Sequence, residues 1–386
     1  MSHISATDFL KKATTTAQHF GFVPLEKARR DARCKSCPKK VAHKATAADR
    51  KTDALHGMLT AGVCSYFDYK LNGIEGPVLF YSTEQVPRSG ETAISLQVCN
   101  VQKSIAEALL IQTIRSLLTD LGKTDYAVRV NSLGDQDSVT RYIRELTNYL
   151  RKHINDMPAS ARELMKEHIF LALMHLIEKD HELAEKSPNP LEYLTDQSRK
   201  HFREIVEYLD MSEMPYEIDP LLIGHHHCYS DALFAFDVAD DESQNPLYIR
   251  GGRYNSFVQR MSKTDVPAAG AVVVLRNKKA PARTPAPRMP KHASAYVVQI
   301  GFGPKIRSLL LINDLRQAGI PVLQNVVSDS LSEQLRDAEA KQTRYAIIIG
   351  QKEYIEGTVI LRDLAARTQE SMPTHKLVSY LKRVSA

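Results

Sequence analysis

The sequence predicts an α+β chain: an antiparallel sheet interrupted by a block of helices, then a separate small α/β unit. Pro281, Pro285, Pro287 and Pro290, set among Ala, Thr and Arg, hold neither a helix nor a central strand, so residues 277–292 read as an extended linker. Before that linker, strands come first and last, with residues 137–210 almost wholly helical between them. After it, strand and helix alternate. The expected division is a basic amino-terminal segment (1–64), a sheet domain (65–276) with its helical insertion at about 137–215, the linker, and a last domain (293–386).

In chain order, residues 76–82 (GPVLFYS) and 93–101 read as antiparallel strands, joined by a loop that holds Pro87, Arg88 and Gly90. Residues 105–121 (IAEALLIQTIRSLLTDL) have the spacing of a long amphipathic helix, and 126–133 (YAVRVNSL) form a strand that ends at Gly134. Apolar residues at Ile143, Leu146 and Leu150, at Ile169, Leu173, Leu176 and Ile177, and at Phe202, Ile205, Val206 and Leu209 mark the helices of the insertion. Strands at 232–238, 247–250 and 269–275 complete the sheet. Past the linker, 295–300 (AYVVQI) is a strand, 305–318 a helix stopped by Gly319, and 320–327 a strand. Ser330 caps the next helix, with Glu333 as its capping-box partner. Residues 345–350 (YAIIIG) form a buried strand and 357–363 (GTVILRD) an exposed one, before a final helix. The order suits a mixed sheet, and no internal repeat is visible.

The chain has 386 residues, 43% hydrophobic and 25% charged, which excludes a disordered or fibrous protein. Its longest apolar stretches, such as 268–275, fall well short of the ~20 residues of a membrane helix, and no apolar signal segment opens it. Its five cysteines, an odd number and scattered, argue for a reducing compartment, so a cytoplasmic location is expected. The net charge of +6 is unevenly placed. Residues 27–51 hold ten Lys or Arg against Asp31 and Asp49, and 276–292 hold six with no acid, so the rest of the chain is net negative. Such a body either touches polyanions at defined places or carries two solvated basic loops.

Three short runs could carry chemistry. Cys34 and Cys37 form a CxxC beside Lys35, Lys39 and Lys40, which is either a basic loop with two thiols or half of a metal site. His43 or Cys64 could add ligands, with a spacing that fits no familiar zinc module. Gly224 to Tyr229 reads GHHHCY; in a strand, His225 and His227 would face one side while His226 and Cys228 face the other. That run is a polar pocket lining or, with Cys228, a metal site. Gly251, Gly252, Arg253 and Tyr254 follow a strand; paired glycines let backbone approach a ligand, and an arginine there can grip a carboxylate or phosphate.

Gly251 to Asn255 (GGRYN) resembles the GGRYD motif of histidyl-tRNA synthetases, and Tyr216 to Pro220 (YEIDP) with Leu222 and Gly224 resembles the segment leading into that family's RGLDYY signature. Residues 191–209 are similar to the end of the family's helical insertion, VNSLG at 130–134 to the strand after its long helix, and 267–275 to its third class II motif. From residue 295 to the end the chain resembles the anticodon-binding domain throughout, including RQAGI from Arg316, LSEQLRDAEAKQTRYAIIIG from Leu331 and EGTVILRDL from Glu356. The likeness covers roughly 65–386; upstream only FGF at 20–22 matches. It implies a six-stranded class II synthetase-like sheet with a helical insertion, an anticodon-binding-like last domain, a homodimer, and ATP or histidine as possible ligands.

The departures fall where the family does its chemistry. Aligning Gly76-Pro77-Val78-Leu79 with the family's GPMF places Phe80 at the motif 2 arginine that holds ATP's α-phosphate, and Ser82 and Thr83 at the following Glu and Arg. Ile223 stands at the signature arginine, and residues 225–228 replace LDYY. The third motif's GLER becomes Val274, Leu275, Arg276 and Asn277. The resemblance therefore implies a paralogue without conventional aminoacylation, acting as a tRNA- or RNA-binding or regulatory protein. The alternatives are a partner protein like the ATP phosphoribosyltransferase regulatory subunits, or a divergent active ligase. Those regulatory subunits usually lack the last domain, so its presence points towards RNA. The candidate ligand-pocket residues are Gly251, Gly252, Arg253, Tyr254, His226, His227, Tyr229 and Arg88; the RNA-binding candidates are Lys278, Lys279, Arg283, Arg288 and Lys291; the metal candidates are Cys34, Cys37, His226 and Cys228.

Overall fold

The computed structural model describes residues 4–25, 63, 66, 76–85, 91–224, 229–239, 247–276 and 293–385 (backbone only at 84, 85 and 385). It opens with α1 (Ala6–His19), capped by Ser5, whose hydroxyl accepts from the Asp8 amide. Phe9, Leu10, Ala13 and Ala17 recur at helical spacing and are its buried face. A two-residue strand, β1 (Val23–Pro24), leads to β2 (Val78–Gln85), β3 (Thr92–Cys99), helix α2 (Ile105–Asp120) and β4 (Tyr126–Ser132). The insertion follows as α3 (Gln136–Lys152), α4 (Ala159–Glu167), α5 (Ile169–Glu178), the single turn α6 (Glu182–Glu185), a 3₁₀ turn over Pro190–Tyr193, and α7 (Asp196–Met211). Then come β5 (Tyr216–Ile218), β6 (Ser230–Val238), β7 (Leu247–Arg253), α8 (Asn255–Ser262) and β8 (Ala268–Leu275).

These strands form one sheet in the order β1-β2-β3-β8-β7-β6-β4-β5. The six central strands, β2 to β4 in that order, are antiparallel, as expected; β1 and β5 add short parallel edges that are too brief to show a sequence period. Helix α7 does not stay with the rest of the insertion. Phe202, Ile205 and Leu209 join the cluster that fills the space between the sheet and α2, while Tyr142, Leu146, Leu150, Phe170 and Leu173 of α3 and α5 join a second cluster on the sheet's other side.

The last domain runs β9 (Ala295–Gln299), α9 (Phe302–Gln317), β10 (Val322–Gln324), α10 (Leu331–Ala340), β11 (Tyr345–Ile349), α11 (Gln351–Glu356), β12 (Thr358–Asp363), β13 (Thr368–Pro373) and α12 (Thr374–Ser385). Its sheet is mixed, β10-β9-β11-β12-β13, parallel through β11 and antiparallel beyond. Two elements escape a sequence reading. Helix α11 has only six residues, and β13 (TQESMP) is an exposed edge strand with no apolar alternation. Ser330 does cap α10, accepting from the Glu333 amide at 3.2 Å, but the reciprocal half of the capping box is replaced. The Glu333 carboxylate instead accepts from the Ser328 hydroxyl, which itself takes the Ser330 amide.

Helix α9 buries residues all round, including Ile306, Leu309, Ile312 and Leu315, because it lies between its own sheet and α2 of the first domain. One apolar cluster therefore runs through both sheets. Polar contacts close the same seam: Arg316 reaches both oxygens of Asp120 (3.0 and 2.7 Å), Thr16 donates to Asp120 (2.7 Å), and Ser116 donates to Asn313 (2.8 Å). No described helix is long and apolar enough to cross a membrane.

Candidate functional site

Strand alternation gives the large sheet two unlike faces. Tyr81, Ile94, Leu96, Val98, Phe234, Phe236, Ala271 and Val273 point towards α2. The opposite face is read from the register as two rows. One crosses Phe80, Gln97, Gly270, Gly252, Leu233 and Asn131; the next crosses Ser82, Ser95, Val272, Arg250, Ala235 and Arg129. This second face is the one over which the insertion helices and Leu222, Ile223 and Tyr229 lie.

Gly251, Gly252 and Arg253 belong to β7 itself, so the strand expected over 247–250 runs on through the motif. Nor is the space over the glycines open to a ligand. A Cβ on Gly251 would lie 2.2 Å from the Phe234 ring, and one on Gly252 would lie 2.5 Å from the Ala232 carbonyl oxygen and 3.0 Å from the Tyr229 ring. Tyr254 covers Gly270 in the same way, at 3.0 Å. Its hydroxyl donates to Gln97 Oε1 at 3.0 Å, and the residue is fully buried. Tyr229, another candidate, is also buried. The small residues thus make room for the chain's own aromatic rings, a packing role in place of the close ligand approach read from the sequence.

Arg253 is sealed on the α2 side, 1% exposed. Its Nε and Nη2 grip the two Glu107 oxygens at 2.7 and 2.8 Å, while Nη1 and Nη2 donate to the carbonyls of Val101 (2.9 Å) and Lys103 (3.2 Å). His201 adds a third contact to Glu107 at 3.1 Å. Burial by itself would raise the Glu107 pKa, but the charges of Arg253 and His201 override it and hold the carboxyl at about 2. The arginine expected to grip a ligand anion is therefore engaged in an internal ion pair that ties β7 to α2. Cys99, beneath Tyr254, is equally enclosed, and burial pushes its thiol up to about 12, which makes it a poor nucleophile.

Phe80 is 1% exposed within the apolar cluster of this face. Ser82 and Ser95 share a hydrogen bond across β2 and β3 at 2.8 Å. Arg129 is held by Asp219 at 2.8 Å and by Asp237. Further along the face, Arg250 and Arg276 both lie against Tyr248, their guanidinium carbons 5.8 and 5.7 Å from the ring centroid. The sequence reading passed over Tyr248 and Arg250, although their i, i+2 spacing on a strand already places them on one face. His226, His227, Arg88, Cys34, Cys37, Cys228, Lys278, Lys279, Arg283, Arg288 and Lys291 lie outside the described residues. Among the described residues no group of three or more His, Cys, Asp or Glu could hold a metal ion.

A cleft of ≈ 220 Å³ opens where the two domains meet, between Gly21 and Pro77 on one side and Asn325, Asp337 and Lys341 on the other. Lys103 and Lys305 share Asp329, each at 2.8 Å, so the loop that receives Arg253 is also fastened to the last domain.

Comparison with known proteins adds three kinds of likeness. The anticodon binding domain family matches residues 307–384. A histidine–tRNA ligase of Geobacillus sp. (strain WCH70) is 25% identical over 312 residues, which cover 80% of this chain and 74% of that protein. Among solved structures, apo histidyl-tRNA synthetase of S. aureus superposes with a TM-score of 0.46 at 18% identity, over 84% of this chain and 82% of that one. A Bacillus halodurans C structure described as an ATP phosphoribosyltransferase regulatory subunit/histidyl-tRNA synthetase gives a TM-score of 0.45 at 13% identity, over 91% and 96%.

Proposed function

This chain belongs to the histidyl-tRNA synthetase family, and from that membership we propose a paralogue that binds tRNA or another RNA in a regulatory role without conventional aminoacylation. The observation that carries the reading is the sheet face where the family does its chemistry. Phe80 lies buried at the position aligned with the ATP-binding arginine, and Tyr229 and Tyr254 fill the space over Gly252 and Gly270. Amino-acid activation depends on positive charge preorganised around the phosphates of ATP, each lost donor costing about 3 kcal/mol. With Phe80 and Ile223 at two of the arginine positions, both buried, little remains to stabilise a pentavalent phosphorus. RNA binding is supported by the anticodon-type domain over 307–384 and by the basic residues Lys278, Lys279, Arg283, Arg288 and Lys291 just before it. The protein works as a homodimer in the cytoplasm.

Two measurements test the reading. Pyrophosphate exchange with ATP and histidine is expected to stay at background; exchange at a synthetase-like rate would overturn the loss of activation. Titration with total tRNA at low and moderate salt is expected to give binding that weakens steeply with salt. Absence of binding at low salt would remove the RNA role.

A further inference from the structure

Arg250 and Arg276 have no part in the fold described above. Tyr248 and Arg250 sit two residues apart on β7, and Arg276 lies two residues beyond Val274, the β8 partner of Tyr248, so all three share the face opposite α2. Both arginines are half-buried against the one ring. Their situation differs from that of the other arginines near the sheet: Arg129 is matched by Asp219 and Asp237, Arg253 by Glu107 and Arg316 by Asp120. Among the described side chains no carboxylate lies within salt-bridge distance of Arg250 or Arg276. Two guanidiniums with no carboxylate partner among the described side chains, restrained by an aromatic surface, lose little freedom on meeting an anion, and their planar forks match phosphate oxygens.

We propose that Arg250 and Arg276, positioned by Tyr248, hold the sugar–phosphate backbone of a bound RNA, as a contact of the sheet domain separate from the anticodon-type domain. This rests on the RNA-binding reading above. The adjoining row of the face, which could otherwise receive a compact ligand, is filled by Tyr229 and Tyr254. Arg276 is also the first residue of the basic run 276–292, so positive charge continues along the chain from the pair, as suits an extended polyanion better than a single nucleotide.

The test is total tRNA binding by the full chain across a salt series. Each phosphate contact contributes about 0.7 to 0.9 to the slope of log K against log[salt]. The Arg250→Gln, Arg276→Gln double variant should lose about one to two units of that slope, whereas the double Lys variant, which keeps both charges, should retain it. Binding by the native chain with an unchanged slope in the Gln variant overturns this inference and leaves the RNA reading intact. No binding by the native chain sinks both. Competition by ATP at constant ionic strength that the Gln variant abolishes would replace RNA with a compact nucleotide at this pair and overturn the inference as stated.

Discussion

Glu107 and Arg253 are both closed off from solvent, so replacing Glu107 with Gln leaves a guanidinium buried without its counter-charge. Breaking such a pair costs about 3–5 kcal/mol, and chemical denaturation of Glu107→Gln should show a loss of unfolding free energy of that size. A neutral result would mean that the Val101 and Lys103 carbonyls suffice for Arg253. Gly251→Ala should also destabilise, by about 1–3 kcal/mol from overpacking, because the new methyl group would meet the Phe234 ring 2.2 Å away. The same substitution at a glycine kept open for a ligand would leave the melting temperature unchanged and alter only binding. The sequence shows that Arg253 and the glycines matter as a motif. It is silent on which face of β7 the arginine takes, because its partner Glu107 stands 146 residues away on another element.

Helices α1, α2 and α9 meet at a seam that titrates. His19 accepts no surface role there: its ring lies 3.4 Å from the Ile312 carbonyl, and burial, opposed by that contact and reinforced by Arg316, lowers its pKa from 6.5 to about 4. Between those pH values the unfolded chain binds a proton that the folded chain does not, so stability is full above pH 6.5 and falls as the pH drops through this window. Thermal melts at pH 7, 6, 5 and 4.5 should show that decline, and His19→Gln should flatten it. An equal slope in the variant would assign the decline to other groups. Asp120→Asn should loosen the same seam by leaving Arg316 without its carboxylate, read as faster proteolysis between the domains. The helices themselves were legible from their apolar spacing, α2 almost to the residue and α9 with its start set three residues late. The seam was not, since a helix buried on two sides shows apolar residues without saying which neighbour covers each face.

The continuous apolar cluster through both sheets predicts that the two domains unfold together, in one calorimetric transition near neutral pH. Two resolved transitions would mean that the seam contributes little to cohesion. At this scale the sequence by itself determined the order of the longer elements, the antiparallel core of the first sheet, the mixed sheet of the second, and the resemblance to the histidyl-tRNA synthetase family. Those properties are written in local period, turn residues and aligned motifs, all of which are short-range along the chain. Only the tertiary structure decided that Arg253 pairs inward with Glu107, that Tyr229 and Tyr254 fill the ground over the glycines, and that Arg250 and Arg276 converge on Tyr248. Each of these depends on which strand lies beside which and in what register. Register is fixed by the summed burial of both faces of the sheet, so no single stretch of sequence contains it.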